Sequence, residues 1–130
     1  MTGPPGRARS ATVSTMRRGE VRLTDLDPAR GSEADKRRPA ILVSNDRANA
    51  TAARLGRGVV TVVPLTSNVT RVFPFQVLLP AELTGLRVDS KAQAEQVRSI
   101  AVERLGPVLG RLPASVMGHL EEALRLHLQL

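Results

Sequence analysis

Apolar and polar residues alternate with a period of two in the first patterned segment of the chain. In Gly19–Asp25 (GEVRLTD), Val21 and Leu23 stand between polar neighbours, as in a half-buried strand, and Asp27-Pro28 then breaks the pattern. Residues 29–38 (ARGSEADKRR) have no period and a high density of charge, so a polar loop is predicted there. Pro39-Ala-Ile-Leu-Val is a short apolar run of the kind a buried strand makes. Ser44 or Asn45 can cap a short helix over DRANATAARL, which Gly56 and Gly58 terminate. Val59–Leu65 is β-branched and apolar and predicts a central strand. Phe73–Leu79 predicts another, and its Pro74, having no N–H to donate, points to an edge or a bulge. Residues 93–102 (QAEQVRSIAV) fit a helix or a strand, and the β-rich context favours a strand. Pro113 can open a terminal helix in which Val116, Leu120, Leu124 and Leu128 recur at helical spacing. The alternation of Leu124, Leu126, Leu128 and Leu130 is a strand signal, but the length of the segment favours the helix. The sum is a small α+β domain built on a curled antiparallel sheet, without internal repeats.

Length and composition narrow this picture. A chain of 130 residues fits one domain with one modest core. Residues 1–15 (MTGPPGRARSATVST) offer little to bury and are expected as a disordered extension ahead of a domain at 16–130, with Met16 as an alternative start. They lack the apolar stretch of a signal peptide, and no later run has the length of a membrane span, so a soluble cytoplasmic protein is expected. The absence of cysteine excludes disulfides and thiolate metal sites. A net charge of +7 and a pI near 11.5 favour a polyanionic partner such as nucleic acid, although a GC-rich genome would also enrich the Arg that makes up 17 of the 19 basic residues. The charge is uneven: residues 16–75 carry eleven basic and six acidic side chains, net +5, and residues 76–130 carry six of each. No HExxH, EF-hand or P-loop pattern occurs, Asp25 and Asp27 read as a strand end before a Pro turn, and no cofactor or metal is expected.

Seven short stretches then stand in a definite order: Arg18-Gly-Glu-Val, Asp25-Leu-Asp-Pro, Gly31-Ser-Glu, Arg38-Pro-Ala-Ile-Leu-Val-Ser, Val63-Pro-Leu-Thr-Ser, Phe73-Pro-Phe and Glu95-Gln-Val-Arg-Ser-Ile. Together they resemble the MazF/PemK family of endoribonuclease toxins, in a match that spans roughly residues 17 to 130. The resemblance implies a small curled antiparallel β-barrel with a short internal helix and a C-terminal helix, a homodimer, and neutralisation by a MazE-type antitoxin whose extended tail covers the RNA groove. It also implies a sequence-specific, metal-independent cut in single-stranded RNA.

Cleavage without metal requires attack of the neighbouring 2′-hydroxyl on phosphorus, with a proton acceptor, charge stabilisation for the phosphorane and a donor for the leaving oxygen. Arg38 matches the family's catalytic arginine; its guanidinium can hold two phosphate oxygens and keeps its charge, so it stabilises rather than accepts. On residue type alone it reads as a solvated loop arginine, the commoner fate of any Arg. Thr66 matches the catalytic threonine, where a hydroxyl can donate to a phosphate oxygen; taken alone, it merely starts a turn. Glu33 resembles an acidic residue of some members and would either accept the 2′-hydroxyl proton or orient Arg38. Lys36 and Arg37 replace smaller residues of relatives and make the loop more basic. Ser32, Asn68, Glu95 and Gln96 fall at or beside positions lining the family's RNA groove, where polar groups read unpaired bases. Only Phe73 and Phe75 are aromatic; Phe73 is the candidate for base stacking and Phe75 for the core. Arg22 stands where many relatives carry an aromatic, and its plane could stack on a base instead. His119 and His127 lie on the terminal helix, remote in sequence from the loop motifs, so a two-histidine mechanism is not expected.

Two other readings stay open at this stage. One is a non-enzymatic toxin on the same fold, as in CcdB, which poisons gyrase. The other is a module that binds RNA and never cuts it, which a basic surface alone permits.

Overall fold

The apolar run at Val59–Leu65 becomes strand β3 (Val59–Thr66), and its surroundings explain much of the architecture. The computed structural model describes residues 16–26 and 37–130. Val60 and Val62 enter one buried cluster with Ala40, Leu42, Ala52 and Ile100, whereas Val63 and Leu65 enter another with Val21, Ile41, Leu79 and Leu120. Successive side chains of a strand point to opposite faces, so β3 is covered on both and has no need of polar alternation.

Around β3 stand β1 (Glu20–Asp25), β2 (Arg37–Leu42), β4 (Gln76–Leu79), β5 (Ser90–Gln93), β6 (Arg98–Ala101) and β7 (Leu105–Arg111). They form one seven-stranded sheet in the order β4-β5-β3-β2-β1-β7, and every pairing is antiparallel. The sheet forks at β3, whose residues Val59–Val62 pair with β6 while Leu65 and Thr66 pair with β5. The expected barrel is thereby corrected to an open sheet: among the described residues no pairing joins β4 to β7. The short α2 (Ala81–Thr84) contacts β7, and the terminal α3 (Ala114–Leu128) contacts β4.

Helix α1 (Asp46–Leu55) forms over the predicted residues. The Asn45 side chain accepts a hydrogen bond from Ala48 N at 2.8 Å, and Gly56 ends the helix in the left-handed region at φ 68°. Its inner face buries Asn49, Ala52 and Ala53. Helix α3 follows Pro113 and buries Met117, Leu120 and Ala123, with Val116 and Leu124 packed beside them. The predicted leucine stripe ends there, since Leu128 remains 48% exposed.

Asn49 has no exposed surface, and its bonds are all spent at the α1–β3 junction. Its Nδ2 donates to Ser44 O at 2.9 Å, and its Oδ1 accepts from Ser44 Oγ, which in turn accepts from Thr61 N at 3.1 Å. Replacing Asn49 by Ala strands the half-buried Ser44 carbonyl and removes the acceptor of the Ser44 hydroxyl, so stability should fall by about 1–3 kcal/mol. Urea unfolding measures this directly, and an unchanged midpoint would contradict it.

Several boundaries differ from the sequence reading. The strand foreseen at Phe73–Leu79 is confined to Gln76–Leu79, because Gln76 N donates to Phe73 O at 2.8 Å and closes a turn around Pro74. Residues 93–102 hold a 3-10 turn at Ala94–Gln96 before β6, and a second turn at Val102–Arg104 after it. Arg37 and Arg38 belong to β2 rather than to the preceding loop. The rest of that loop, 29–36, and the extension 1–15 lie outside the described residues. Strands β5 and β7 and helix α2 were not foreseen.

Candidate functional site

Strand register brings the two leading candidates together. Ala40 pairs with Pro64, and carrying the antiparallel ladder two residues further sets Arg38 opposite Thr66. Both line one open groove of about 450 Å³, shared with Pro39, Leu65, Ser67, Leu86, Arg87, Val88 and Ser90. Arg38 is exposed, and among the described residues no carboxylate pairs with it. Its guanidinium can therefore meet an anion without first breaking an ion pair to any described residue.

Thr66 ends β3 and is half-buried. Its Oγ1 accepts a hydrogen bond from Asn68 N at 3.2 Å, so the hydroxyl proton remains to be donated. Asn68 itself is exposed, and its Oδ1 accepts from Thr70 N at 3.2 Å. Asn68 thus shapes the turn that carries Thr66.

Beyond this turn, Phe73 is exposed and stacks on half-buried Phe75, with ring centroids 5.4 Å apart and planes within 5° of parallel. The Phe75 foreseen for the core is therefore half of an aromatic pair near the surface, with His127 tilted against it at 6.5 Å. The Arg71 guanidinium lies 5.6 Å and the Lys91 ammonium 5.9 Å from the Phe73 centroid. Lys91, opposite Thr66 in the β3–β5 pairing, donates from Nζ to Arg71 O and so ties the segment after Thr66 to the sheet.

The remaining candidates are scattered. Glu95 is half-buried, and its Oε2 accepts from Gln76 Nε2 at 2.8 Å, while Gln76 Oε1 accepts from Phe73 N at 3.1 Å. Glu95 thus supports the Phe73 turn from below, and Gln96 is exposed beside it. Neither lines the groove of Arg38 and Thr66. Arg37 is exposed at the start of β2, paired in register with Asp25. Ser32, Glu33 and Lys36 lie outside the described residues.

Arg22 is not available to a base: it is 5% exposed and ion-paired through Nε to Glu20 at 3.0 Å. Arg111 Nη2 meets the other Glu20 oxygen at 3.2 Å, so a buried carboxylate holds β1 to β7. His119 lines a separate hollow of about 590 Å³ between β4 and α3. Sequence reasoning passed over Ser67, Arg87 and Ser90 in the groove itself. Ser67 could have been foreseen from its place after Thr66, whereas the other two are brought in only by the β3–β5 pairing.

Comparison with known proteins identifies the family of the chain. The family described as PemK-like, MazF-like toxin of type II toxin-antitoxin system matches residues 17–128. Endoribonuclease MazF9 of Mycobacterium tuberculosis is 68% identical over 115 residues, which cover 88% of this chain and 98% of the relative. Endoribonuclease EndoA of Bacillus subtilis is 30% identical over 116 residues, covering 88% and 96%. Among solved structures, a mycobacterial endoribonuclease in complex with its cognate antitoxin superposes with a TM-score of 0.66 at 25% identity, covering 89% of this chain and 97% of that one. A MazE-MazF structure from Deinococcus radiodurans gives 0.67 at 25% identity, covering 88% and 96%.

Proposed function

The chain belongs to the PemK-like, MazF-like toxin family of type II toxin-antitoxin systems, and from that premise we propose that it is an endoribonuclease cutting single-stranded RNA without a metal. The observation that carries the chemistry is the shared groove: a guanidinium with no carboxylate partner among the described residues and a hydroxyl with a proton to give line the same cleft. The 2′-oxygen gives up its proton and attacks phosphorus as the bond to the 5′-oxygen breaks; the departing oxygen, assisted by the Arg38 guanidinium, takes up a proton from water, leaving a 2′,3′-cyclic phosphate and a 5′-hydroxyl. Arg38 neutralises charge growing on the non-bridging oxygens, and Thr66 donates a hydrogen bond to one of them. Glu33 takes the 2′-hydroxyl proton or orients Arg38. Ser32, Lys36, Arg37, Asn68, Phe73, Glu95 and Gln96 contact the flanking nucleotides, and residues 16–130 make up the working domain.

The groove is open, and an antitoxin of the MazE type would silence the enzyme by covering it. Leu126, Leu128 and Leu130 leave the end of α3 with exposed apolar surface, 55%, 48% and 80% respectively, which a second copy of the chain would cover. Light scattering at micromolar concentration should give the mass of a dimer, and a monomer there would remove the dimer from the proposal. The site of action is the cytoplasm, where RNA and antitoxin are made; no helix among the described residues is long and apolar enough to cross a membrane.

Incubation in EDTA with RNA and DNA strands of matched sequence tests the activity. RNA should yield discrete fragments while DNA, which lacks the 2′-hydroxyl, stays whole. Intact RNA that is merely retained would favour the binding module, and intact RNA with inhibited gyrase would favour the CcdB-like reading.

A further inference from the structure

The groove has a second wall, on the segment between α2 and β5, where Leu86, Arg87 and Val88 stand with Ser90. Of the nine described residues that line the groove two are arginines, three carry hydroxyls and none is acidic, so both walls attract an anion. Arg87 is exposed, and among the described residues no carboxylate pairs with it. The adjacent carboxylate, Asp89, is engaged elsewhere: its Oδ1 accepts from Ala81 N at 2.9 Å. The segment is also braced at its base. Leu86 N donates to Thr84 Oγ1 at 3.1 Å, and Gly85, at φ 80°, lies against the backbone of Leu109 and Gly110.

A cation presented from a short braced segment loses little freedom when it binds. Along an RNA strand a phosphate recurs at every nucleotide, so a groove with arginines on opposite walls can grip two of them. On the reading that the groove holds RNA, the geometry points to Arg87 as the residue that binds a phosphate flanking the scissile one, while Arg38 serves the scissile phosphate itself. Arg87 takes no part in bond breaking. It fixes the strand so that the reacting phosphorus rests against Arg38 and Thr66, and its contact carries no base preference.

Full-length R87Q and R87K, with the parent chain, would be titrated at several salt concentrations with an RNA oligonucleotide fully 2′-fluoro-substituted, which keeps the phosphates and lacks the nucleophile. R87Q should bind about tenfold more weakly. Its log–log salt slope should fall by about 0.7, the share of one phosphate on a single strand, and R87K should keep that slope. On cleavable RNA, KM should rise by the same factor with kcat within about twofold. An unchanged affinity and salt slope in R87Q, or a fall in kcat at constant KM, would overturn the assignment. Should the parent chain cut no RNA, the endoribonuclease reading fails separately, and the titration still decides what Arg87 does.

Discussion

Arg38→Ala should lower the rate of RNA cleavage by a factor on the order of 10²–10³, the usual cost of removing one preorganised donor from a developing oxyanion. Fold stability should change by no more than about 0.5 kcal/mol, because the side chain is exposed and no described carboxylate depends on it. Binding of the 2′-fluoro oligonucleotide should weaken only about tenfold, the worth of one charge-assisted contact. Arg38→Lys should recover part of the binding but little of the rate, since an ammonium supplies charge without the planar fork that spans two phosphate oxygens. Single-turnover cleavage and equilibrium binding measured side by side separate these effects. Equal losses in both would make Arg38 a binding residue and point to a module that holds RNA without cutting it.

Gly85→Ala should destabilise the protein by roughly 3–5 kcal/mol, because it combines a left-handed backbone with a clash that no side chain can relieve. At φ 80° a Cβ on residue 85 would run into the Leu109 carbonyl, and one on Gly110 would run into that of Thr84. The end of α2 and strand β7 thus touch backbone to backbone, and the two glycines are what permit it. The same contact anchors the segment bearing Arg87, so RNA affinity should fall along with stability. Gly118→Ala should do the opposite, since its Cβ would meet nothing within 4 Å inside α3 and alanine favours the helix by about 0.5–1 kcal/mol. Thermal melts should place the Gly85 variant on the order of 10 °C or more below the parent and the Gly118 variant slightly above it. A Gly85 variant as stable as the parent would mean that β7 does not approach α2 as described.

Those glycines also explain where the sequence was opaque. Strand β3 and helices α1 and α3 were legible because their stability comes from their own apolar side chains, which repeat at the period of the element. Strand β7, LGPVLGR, contains the residues that usually punctuate structure, and its glycines serve contacts with distant backbone: a Cβ at Gly106 would strike Leu23 O. Strand β5, SKAQ, is buried by its neighbours on both sides rather than by its own hydrophobicity. The absence of closure depends on long-range pairing at β4 and β7, which no local pattern encodes.

The site divides along the same line. Arg38 and Thr66 were singled out through family motifs, and the β2–β3 register then supplies the physical reason for their proximity. Arg22 could have been placed correctly from the residues alone. Glu20 and Arg22, two apart on a strand, necessarily share a face, and opposite charges there favour a pair over a base-stacking role. Arg87 could not, because nothing near it in the chain indicates that α2 and β5 return it to the groove of Arg38.

The chemistry of the fragment ends tests the central claim most directly. The purified chain, incubated with a long unstructured RNA in EDTA, should leave 2′,3′-cyclic phosphates facing 5′-hydroxyls at a small set of sites, and Arg38→Ala and Thr66→Ala should each slow their appearance by a factor on the order of 10²–10³. Fragments ending in 3′-hydroxyls and 5′-phosphates, or cuts made at an unchanged rate in both variants, would contradict attack by the 2′-oxygen in the Arg38–Thr66 groove.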